Sequence, residues 1–360
     1  MKRVGNLLTR IIERENLRLG YYLALRGKRD RQDARSFADE LENNLGALAD
    51  GIWSGQYPVG RCTQFIIHDP KKRTITAPCF AERVLHHAIM NVCEPVFERL
   101  LIDDTYACRR GKGRIAALHR AMDFSARYPV ILKLDMRSYF DSISHELLHQ
   151  QLKRRFKDRR LLQLFDRISD GYETNPGCGL PIGSLTSQHF ANFYLAGFDR
   201  FVKEELGSRG YVRYMDDCVI WSTSASQLRR ILARCEEFLV RDLRLHINRD
   251  PLIRSTRNGF EFLGCRVFPT HLQLNHRSRQ RFRRRLRNLE EAFVRGLISE
   301  RALQARATAL CAFATAGGTK SWKFRTRVIQ QMPVSGQRLE PGEPGRELEQ
   351  QGRELSVGEP

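Results

Sequence analysis

The stretch YVRYMDDCVIW, residues 211–221, places two adjacent aspartates, Asp216 and Asp217, in the middle of an apolar, β-prone run. Strands disfavour aspartate, and an unpaired buried carboxylate is costly. The pattern therefore predicts a strand, a turn that carries the two acids, and a second strand. A third acid, Asp135, ends the apolar run VILKLD, which also predicts a strand. If these strands are neighbours in one sheet, three carboxylates meet at its edge.

Three clustered carboxylates repel one another unless a cation lies between them. The nine cysteines are scattered and form no CxxC pair, so we expect reduced thiols and no zinc site. Oxygen ligands suit Mg²⁺, and two such ions about 4 Å apart drive in-line phosphoryl transfer. Each acid alone has a simpler explanation as a turn or cap residue. Together, Asp135, Asp216 and Asp217 predict a magnesium site.

Composition limits the class of protein and of partner. The chain has 360 residues, of which 41% are hydrophobic, enough for a globular protein with two or three subdomains. Sixty-one Lys and Arg residues against 41 Asp and Glu give a net charge of +20, which favours a polyanionic partner. The sequence has no apolar run long enough to span a membrane, and its first residues do not resemble a signal peptide. We therefore expect no membrane association and a cytoplasmic location.

The YMDD motif resembles that of a reverse transcriptase when its neighbours are included. LKLDMRSYFDSI lies upstream and FLG downstream, and the fingers-like segments KKRTITAP and YACRRGKGRIAAL come first. The resemblance implies an α+β right-hand polymerase with fingers, a palm made of an antiparallel sheet packed on helices, and a helical thumb. The expected divisions are an N-terminal helical extension (1–60), fingers and palm (61–270), a basic helical thumb (271–332) and a disordered tail (333–360).

The same resemblance implies roles for single residues. Asp135, Asp216 and Asp217 would hold two Mg²⁺ ions. Phe140, five residues after Asp135, would exclude the ribose 2′-hydroxyl by its bulk; without the resemblance it is better explained as a core residue. The residues implied to contact the incoming dNTP are Arg73, Phe140, Ile182, Gly183 and Gln188. Those implied to contact template RNA or the RNA/cDNA duplex are Arg109, Arg110, Lys112, Arg114, Arg283 and Arg284, although a solvated basic surface would look alike.

The loop IGSLTSQ, residues 182–188, indicates the branch of the family. Group II intron and retroviral enzymes resemble a QGxxxSP pattern here, whereas this loop resembles that of diversity-generating retroelements. That likeness implies copying of a template-repeat RNA with errors at adenines, and a small basic helical accessory protein. The alternatives are a retron or group II-like reverse transcriptase, or an RNA-binding protein with a vestigial site. LRLHINRDPLIR lacks the lysine that protonates pyrophosphate in many relatives, which leaves His246, Arg249 or neither.

Overall fold

The computed structural model describes residues 2–68 and 72–315, and the chain divides into two compact units. The first unit contains residues 1–113 and 131–253, and the second contains 114–130 and the chain from 254 onward. The basic turn at 69–71, the end of the expected thumb (316–332) and the expected disordered tail (333–360) lie outside the described residues. The four-part division expected from the sequence stays a prediction.

The first unit is built around one long, buried helix. Apolar residues surround this helix, α5 (Phe80–Glu98), and α2 packs against it so closely that a Cβ on Gly20 would lie 2.7 Å from the Val84 carbonyl oxygen. Ser144, Asp158 and Ser184 cap the helices that follow them, as short polar side chains do. The other helices are α1 (Leu8–Ile12), α2 (Arg14–Ala24), α3 (Gln32–Asp39), α4 (Leu41–Ser54), α7 (Tyr139–Ser142), α8 (His145–Lys153), α9 (Arg159–Asp170), α10 (Leu185–Tyr194), α11 (Ala196–Arg200) and α12 (Ala225–Leu243).

Two of the three sheets in the described residues contain strands of the first unit. The β1–β2 hairpin (Cys62–His68 and Lys72–Pro78) is antiparallel, as the sequence predicts. A four-stranded sheet has the order β4-β5-β3-β6, with β3 at Val130–Asp135, β4 at Gly210–Tyr214, β5 at Asp217–Ser222 and β6 at Leu252–Ser255. The strands that carry the three acids are therefore neighbours, and this prediction is confirmed. The helix expected after IGSLTSQ is broken at Leu195 and continues through α11 into a π-helical turn, Phe201–Glu205.

The second unit combines helices with a small antiparallel sheet. Its helices are α6 (Arg114–Arg127), α13 (His276–Val294) and α14 (Glu300–Thr315). Its strands are β7 (Phe260–Phe262), β8 (Cys265–Val267) and β9 (Leu272–Leu274). The apolar run FEFLGCRVFP, residues 260–269, predicts one short strand. This prediction was wrong, because Leu263 and Gly264 adopt positive φ values of 46° and 77° and turn the chain back into a hairpin.

The structure agrees with the α+β class predicted from the sequence. Five phenylalanine side chains form a connected set of ring contacts in the core of the first unit: Phe97, Phe156, Phe165, Phe190 and Phe193. All nine cysteines are free thiols, as expected. In the described part of the chain, no helix combines the length and the apolar character that crossing a membrane requires.

Candidate active site

The two adjacent aspartates lie at a tight turn between β4 and β5. Tyr214 pairs with Asp217, so Met215 and Asp216 alone form the turn. Met215 has a φ of 58°, which suits a two-residue hairpin turn but which non-glycine residues adopt at a cost of about 1 kcal/mol. The turn thus carries backbone strain, and it brings both carboxylates to the end of the hairpin.

Asp135 completes the cluster from the neighbouring strand. It ends β3, beside β5 in the sheet. The Asn248 backbone N–H donates to the Asp135 carbonyl oxygen, and the Asn248 side-chain amide donates to Asp135 Oδ2, both at 2.9 Å. The segment around Asn248 therefore fixes the position of Asp135 on the side away from the hairpin.

The electrostatics show that the three acids act on one another. Burial raises the pKa of Asp217 to about 7; Lys133 opposes the shift, and Asp135 adds to it. Burial also raises the pKa of Asp216, and Asp135 raises it further, while the positive charge of Arg73 lowers it. The predicted fingers residue Arg73 therefore lies near enough to influence the aspartates. Such a cluster disfavours its own ionisation unless a cation is bound.

The donor set fits a divalent cation with oxygen ligands. Lys133 Nζ lies 3.3 Å from Asp217 Oδ1, yet this buried oxygen has no partner in hydrogen-bonding geometry. Over the described residues, no three His, Cys, Asp or Glu side chains are already arranged to hold a metal ion. Lys133 contacts Oδ1 of Asp217, and Asn248 contacts Oδ2 of Asp135, so each carboxylate has a second oxygen that could bind a cation. Oxygen donors of this kind are those that Mg²⁺ prefers.

A buried ion pair supports the turn from behind. Arg213 and Asp199 are both fully buried, and Arg213 Nε and Nη2 donate to the two Asp199 carboxylate oxygens at 2.6 Å each. Arg213 Nη1 donates to Asn192 Oδ1 at 2.8 Å and to the Met215 carbonyl oxygen at 2.9 Å. The Tyr211 hydroxyl donates to Asp199 as well. This network holds the strained residue of the turn, so it positions the aspartates without contacting them.

The loop IGSLTSQ, residues 182–188, contacts strand β2 of the β1–β2 hairpin. The Thr76 backbone N–H of β2 donates to the Ile182 carbonyl oxygen at 2.8 Å. Gln188 is exposed on α10, and Cys108 Sγ lies 3.7 Å from its Oε1. Phe140 is half-buried in α7, and its carbonyl oxygen accepts the Leu180 N–H at 2.8 Å. The nucleotide-contact roles of these residues stay predictions.

Gly183 is the residue of this loop that tolerates substitution least. Its φ is 122°, and an added Cβ would lie 2.9 Å from Ile75 Cγ2 and 3.0 Å from the Thr76 carbonyl oxygen. We expect Gly183→Ala to separate the loop from β2, lowering the free energy of unfolding by about 1–3 kcal/mol and raising the KM for dNTPs. Gly197→Ala is the matched control, because Gly197 is helical with nothing within 4 Å of an added Cβ. Equal stability of the two variants in urea unfolding would contradict this expectation.

The basic loop before α6 is held by its own contacts. Arg109 donates to Glu98, Thr105 and the Ile102 carbonyl, and only 7% of its side chain is exposed. Arg110 pairs with Glu94 at 2.9 Å but is 82% exposed, and Lys112 pairs with Asp103. These contacts favour a structural role for Arg109, and they leave Arg110 the most accessible of the three. Nucleic-acid contact by this loop stays a prediction.

The remaining predicted nucleic-acid residues lie in the second unit. Arg114 Nε donates to the Leu263 carbonyl oxygen at 2.7 Å and fixes the β7–β8 turn. Arg283 and Arg284 are exposed on α13, whose buried face carries Phe282 and Leu286. Both α13 arginines are therefore accessible, and their role with nucleic acid also stays a prediction.

Three contributors to the site were missed from the sequence. Lys133 could have been found, because it lies two residues before Asp135 and so on the same face of β3. The Arg213–Asp199 pair could not, since Asp199 belongs to a helix and nothing in its local pattern marks a buried charge. Asn248 follows a strand-like segment, but the pairing of that segment with Asp135 depends on tertiary structure.

Comparison with known proteins agrees with the geometry. The family described as reverse transcriptase (RNA-dependent DNA polymerase) matches residues 68–267, more than half of the chain. The protein YkfC of Escherichia coli K12 is 25% identical over 273 residues, which cover 63% of this chain and 72% of YkfC. The group II intron-encoded protein LtrA of Lactococcus lactis is 26% identical over 176 residues, or 47% of this chain and 29% of LtrA.

Solved structures of telomerase show a weaker likeness. Telomerase from Candida albicans, in complex with a fragment of telomeric RNA, is 11% identical with a TM-score of 0.43, and the match covers 67% of this chain and 55% of that one. The chain thus spans about half of this telomerase and less than a third of LtrA.

Proposed function

The chain belongs to the reverse transcriptase family of RNA-dependent DNA polymerases, and from this premise we propose that it copies a template-repeat RNA into cDNA with errors concentrated at adenines. The cDNA would then diversify a target gene. The observation that carries the polymerase part is the meeting of Asp135, Asp216 and Asp217 at one end of neighbouring strands, where their charges influence one another. The pattern IGSLTSQ supports the choice of branch.

The chemistry we propose assigns a task to each residue near the aspartates. Two bound Mg²⁺ ions would supply activation of the primer hydroxyl and stabilisation of the leaving pyrophosphate. Asp135, Asp216 and Asp217 would hold them. Arg73, whose charge reaches Asp216, would bind the triphosphate of the incoming dNTP. Lys133, whose ammonium lies 3.3 Å from Asp217 Oδ1, would hold the carboxylate in position.

Phe140 is proposed to discriminate between deoxyribose and ribose. Its half-buried ring follows Asp135 by five residues, and the bulk of a ring can exclude a 2′-hydroxyl. We expect Phe140→Ala to reduce the preference for dNTPs over rNTPs, measured as a ratio of kcat/KM, by roughly 10²-fold. Phe140→Tyr keeps the bulk and serves as the control, with the preference unchanged. An unchanged ratio in Phe140→Ala would remove this role.

Ile182 is proposed to lower selectivity for the templating base. An apolar branched side chain at this position offers no hydrogen bond near the nascent pair, whereas an amide could. We expect Ile182→Gln to reduce misincorporation opposite adenine by about ten-fold, with smaller changes opposite the other bases. The measurement is deep sequencing of cDNA made on one RNA. Ile182→Leu is the control, and a misincorporation rate opposite adenine that Ile182→Gln leaves unchanged would refute the proposal.

A second candidate function is that of a group II-like or retron reverse transcriptase. The likeness to LtrA favours it, because a group II intron protein is among the relatives that match. The two candidates share the polymerase chemistry and differ in fidelity and template. A third candidate, an RNA-binding protein with a vestigial site, is disfavoured because all three aspartates are present and are costly to hold together.

The proposed partners follow from charge and from the branch. Template RNA and the RNA/cDNA duplex suit a chain of net charge +20, with Arg283 and Arg284 on α13 as proposed duplex contacts. The incoming dNTPs are the substrates. A small basic helical accessory protein and a cytoplasmic location belong to the proposal as well.

The experiment that tests the proposal is sequencing of cDNA that the purified protein makes on an RNA template. The error-prone branch predicts substitutions concentrated at template adenines. A uniform, low error rate would refute that branch and favour the group II-like candidate. Absence of any cDNA, with folded protein and Mg²⁺ present, would refute the polymerase itself.

A further inference from the structure

Seven exposed cations cover a surface of the first unit that is built from two distant segments. The Val4 N–H donates to the Arg155 carbonyl oxygen at 2.9 Å, and the Lys157 N–H donates to the Val4 carbonyl oxygen at 2.8 Å. These bonds join the N-terminal segment to the connection between α8 and α9. The cations, called here the N-terminal basic surface, are Lys2, Arg3, Lys153, Arg154, Lys157, Arg159 and Arg160.

Acidic groups are few beside these cations: burial raises the pKa of Asp166 and the charge of Lys153 acts to lower it, but at a distance longer than an ion pair. None of the seven cations forms an ion pair in the part of the chain that the structure describes. The acid in the same segment, Asp158, is occupied: its Oδ2 accepts the Leu7 and Leu8 backbone N–H groups, and its Oδ1 accepts that of Leu161. Its charge thus serves the amino ends of α1 and α9.

Other exposed arginines of the first unit contrast with this arrangement. Arg14 and Arg18 both pair with Glu42, and Arg241 pairs with Glu237 and Asp242. The seven cations differ from these three arginines in having no acidic group of the described residues within ion-pair distance, and they are grouped on two joined segments. Like charges held together without partners are destabilising, and an anionic ligand would relieve their repulsion.

Arg155, beside these cations, is affected by one of them. Partial burial lowers the pKa of Arg155, and the positive charges of Arg200 and Arg154 lower it further. The exposed cations therefore concentrate positive potential where the N-terminal segment is hydrogen-bonded to the α8–α9 connection.

An exposed aromatic stack lies at the same place. Trp53, near the end of α4, is 47% exposed, and the Arg160 guanidinium carbon lies 4.2 Å from the centre of its ring system. Trp53, Arg160 and Lys157 line a groove of about 460 Å³, together with Asn6 and with Asp158, whose carboxylate oxygens already accept backbone N–H groups. Large exposed aromatics interleaved with cations are typical of surfaces that bind single-stranded nucleic acid, because bases stack on the rings while cations contact the phosphates.

We propose that the N-terminal basic surface and Trp53 form a second nucleic-acid site, which binds single-stranded RNA outside the polymerase site. The Trp53–Arg160 stack takes a base, and Lys153, Arg154 and Lys157 contact the flanking phosphates. An acidic protein segment would satisfy the cations but would leave the exposed indole without a function. The inference rests on the proposed function in one respect: the RNA is taken to be a part of the template that is bound but not being copied.

The test compares two variants of equal net charge. Lys157→Glu/Arg160→Glu and the control Arg229→Glu/Arg230→Glu each lower the net charge from +20 to +16, and the control residues are exposed on α12. The probe is a fluorescein-labelled 16-nucleotide oligo(rU), titrated at several salt concentrations, with oligo(dT) and polyglutamate as competitors. We expect Lys157→Glu/Arg160→Glu to weaken RNA binding by at least about ten-fold and to reduce the salt slope by roughly 1.4. The control should change binding far less.

Substitution of Trp53 tests whether the ligand of this surface is RNA or another polyanion. We expect Trp53→Ala to weaken oligo(rU) binding about ten-fold and Trp53→Phe much less, while competition by polyglutamate does not change. Equal binding by both charge variants would overturn the proposal. A loss with the charge variant but none with Trp53→Ala would overturn the assignment to RNA in favour of an acidic protein partner. A loss of oligo(dT) binding with no loss of oligo(rU) binding would also overturn it.

A second readout keeps this proposal separate from the proposed function. Extension of a short primed RNA, which has no RNA beyond the duplex and a few template bases, is expected to be unchanged in Trp53→Ala. Failure of the wild-type protein to extend that primer would refute the polymerase function while leaving the binding result intact. Crosslinking of 4-thiouridine RNA, mapped by mass spectrometry, should reach Trp53 or its neighbours, and crosslinks confined to the polymerase site would overturn the second site.

Discussion

Asp217→Asn is expected to abolish DNA synthesis and, at the same time, to stabilise the metal-free protein. The variant removes one proposed magnesium ligand, so we expect at least about a 10³-fold loss in primer extension. The carboxylate is also a source of strain in the absence of metal, because burial raises its pKa to about 7. Loss of activity combined with a gain in stability is the expected signature of a residue kept for function.

The sign of the stability effect follows from the pKa. The Asp217 carboxyl titrates near 4 when unfolded and near 7 in the folded protein, so the folded state binds its proton more tightly. The buried carboxyl therefore does not lower the free energy of unfolding of the wild-type protein below pH 4, and it lowers this free energy progressively as the pH rises from 4 to 7. The pKa shift of Asp217 corresponds to about 4 kcal/mol. We expect Asp217→Asn to have a free energy of unfolding only about 2 kcal/mol higher than wild type at pH 8, because 22% of the side chain is exposed and Lys133 loses its ion-pair partner in the variant.

The measurement is urea unfolding of wild type and Asp217→Asn in EDTA at pH 4 and pH 8. The stability difference should be near zero at pH 4 and should favour the variant at pH 8. Asp250→Asn, at an exposed position, is the control and should show no such pH dependence. A variant less stable than wild type at pH 8 would contradict the account of a strained carboxylate cluster.

Arg213→Met is expected to be the most destabilising substitution near the site. It leaves the fully buried Asp199 carboxylate without the two charged hydrogen bonds it now accepts, and it frees the Met215 carbonyl oxygen at the strained turn. Removing one partner of a buried ion pair costs about 3–5 kcal/mol. Arg213→Lys should recover little, because a lysine cannot reproduce the fork that holds Asp199, Asn192 and Met215 together.

A double variant separates the cost of an unpaired charge from the loss of the turn contact. Arg213→Met/Asp199→Leu removes both charges, so it should regain much of the stability lost in Arg213→Met. Its primer-extension rate should stay low, because Met215 still lacks its hydrogen bond. Chemical unfolding and the extension assay are measured on the same preparations. Full activity in the double variant would show that the network stabilises the fold without positioning the aspartates.

The sequence predicted the strand–turn–strand at 211–221 and its neighbour VILKLD, because apolar runs interrupted by polar turn residues are local signals. RCTQFIIHDPKKRTITAP predicts two short strands, which are observed as β1 and β2. CFAERVLHHAIMNVCEPVFERLL and SASQLRRILARCEEFLVRDL have apolar residues at helical spacing, which predicts the observed helices α5 and α12. The hairpin at Leu263 and the break of the helix at Leu195 were missed, since both depend on backbone conformations that packing imposes.

The site was predictable to the extent that it follows from strand adjacency. Asp135 and Asp217 lie on neighbouring strands and Asp216 lies in the turn next to Asp217, as expected. The contacts of Arg213 with Asp199, and of Asn248 with Asp135, join residues from different elements, and no local pattern announces them. The ion pair of Arg109 with Glu98 likewise shows that a basic loop can be held internally, which charge alone does not reveal.

We propose that three carboxylates at the end of β3 and the β4–β5 turn catalyse RNA-templated DNA synthesis. The most direct test is extension of a DNA primer on an RNA template by purified wild-type protein and by Asp216→Asn, with dNTPs and Mg²⁺. We expect full-length cDNA from wild type and at least about a 10³-fold slower reaction from the variant, with RNA binding retained. Equal extension by both proteins, or none by folded wild type, would contradict this proposal.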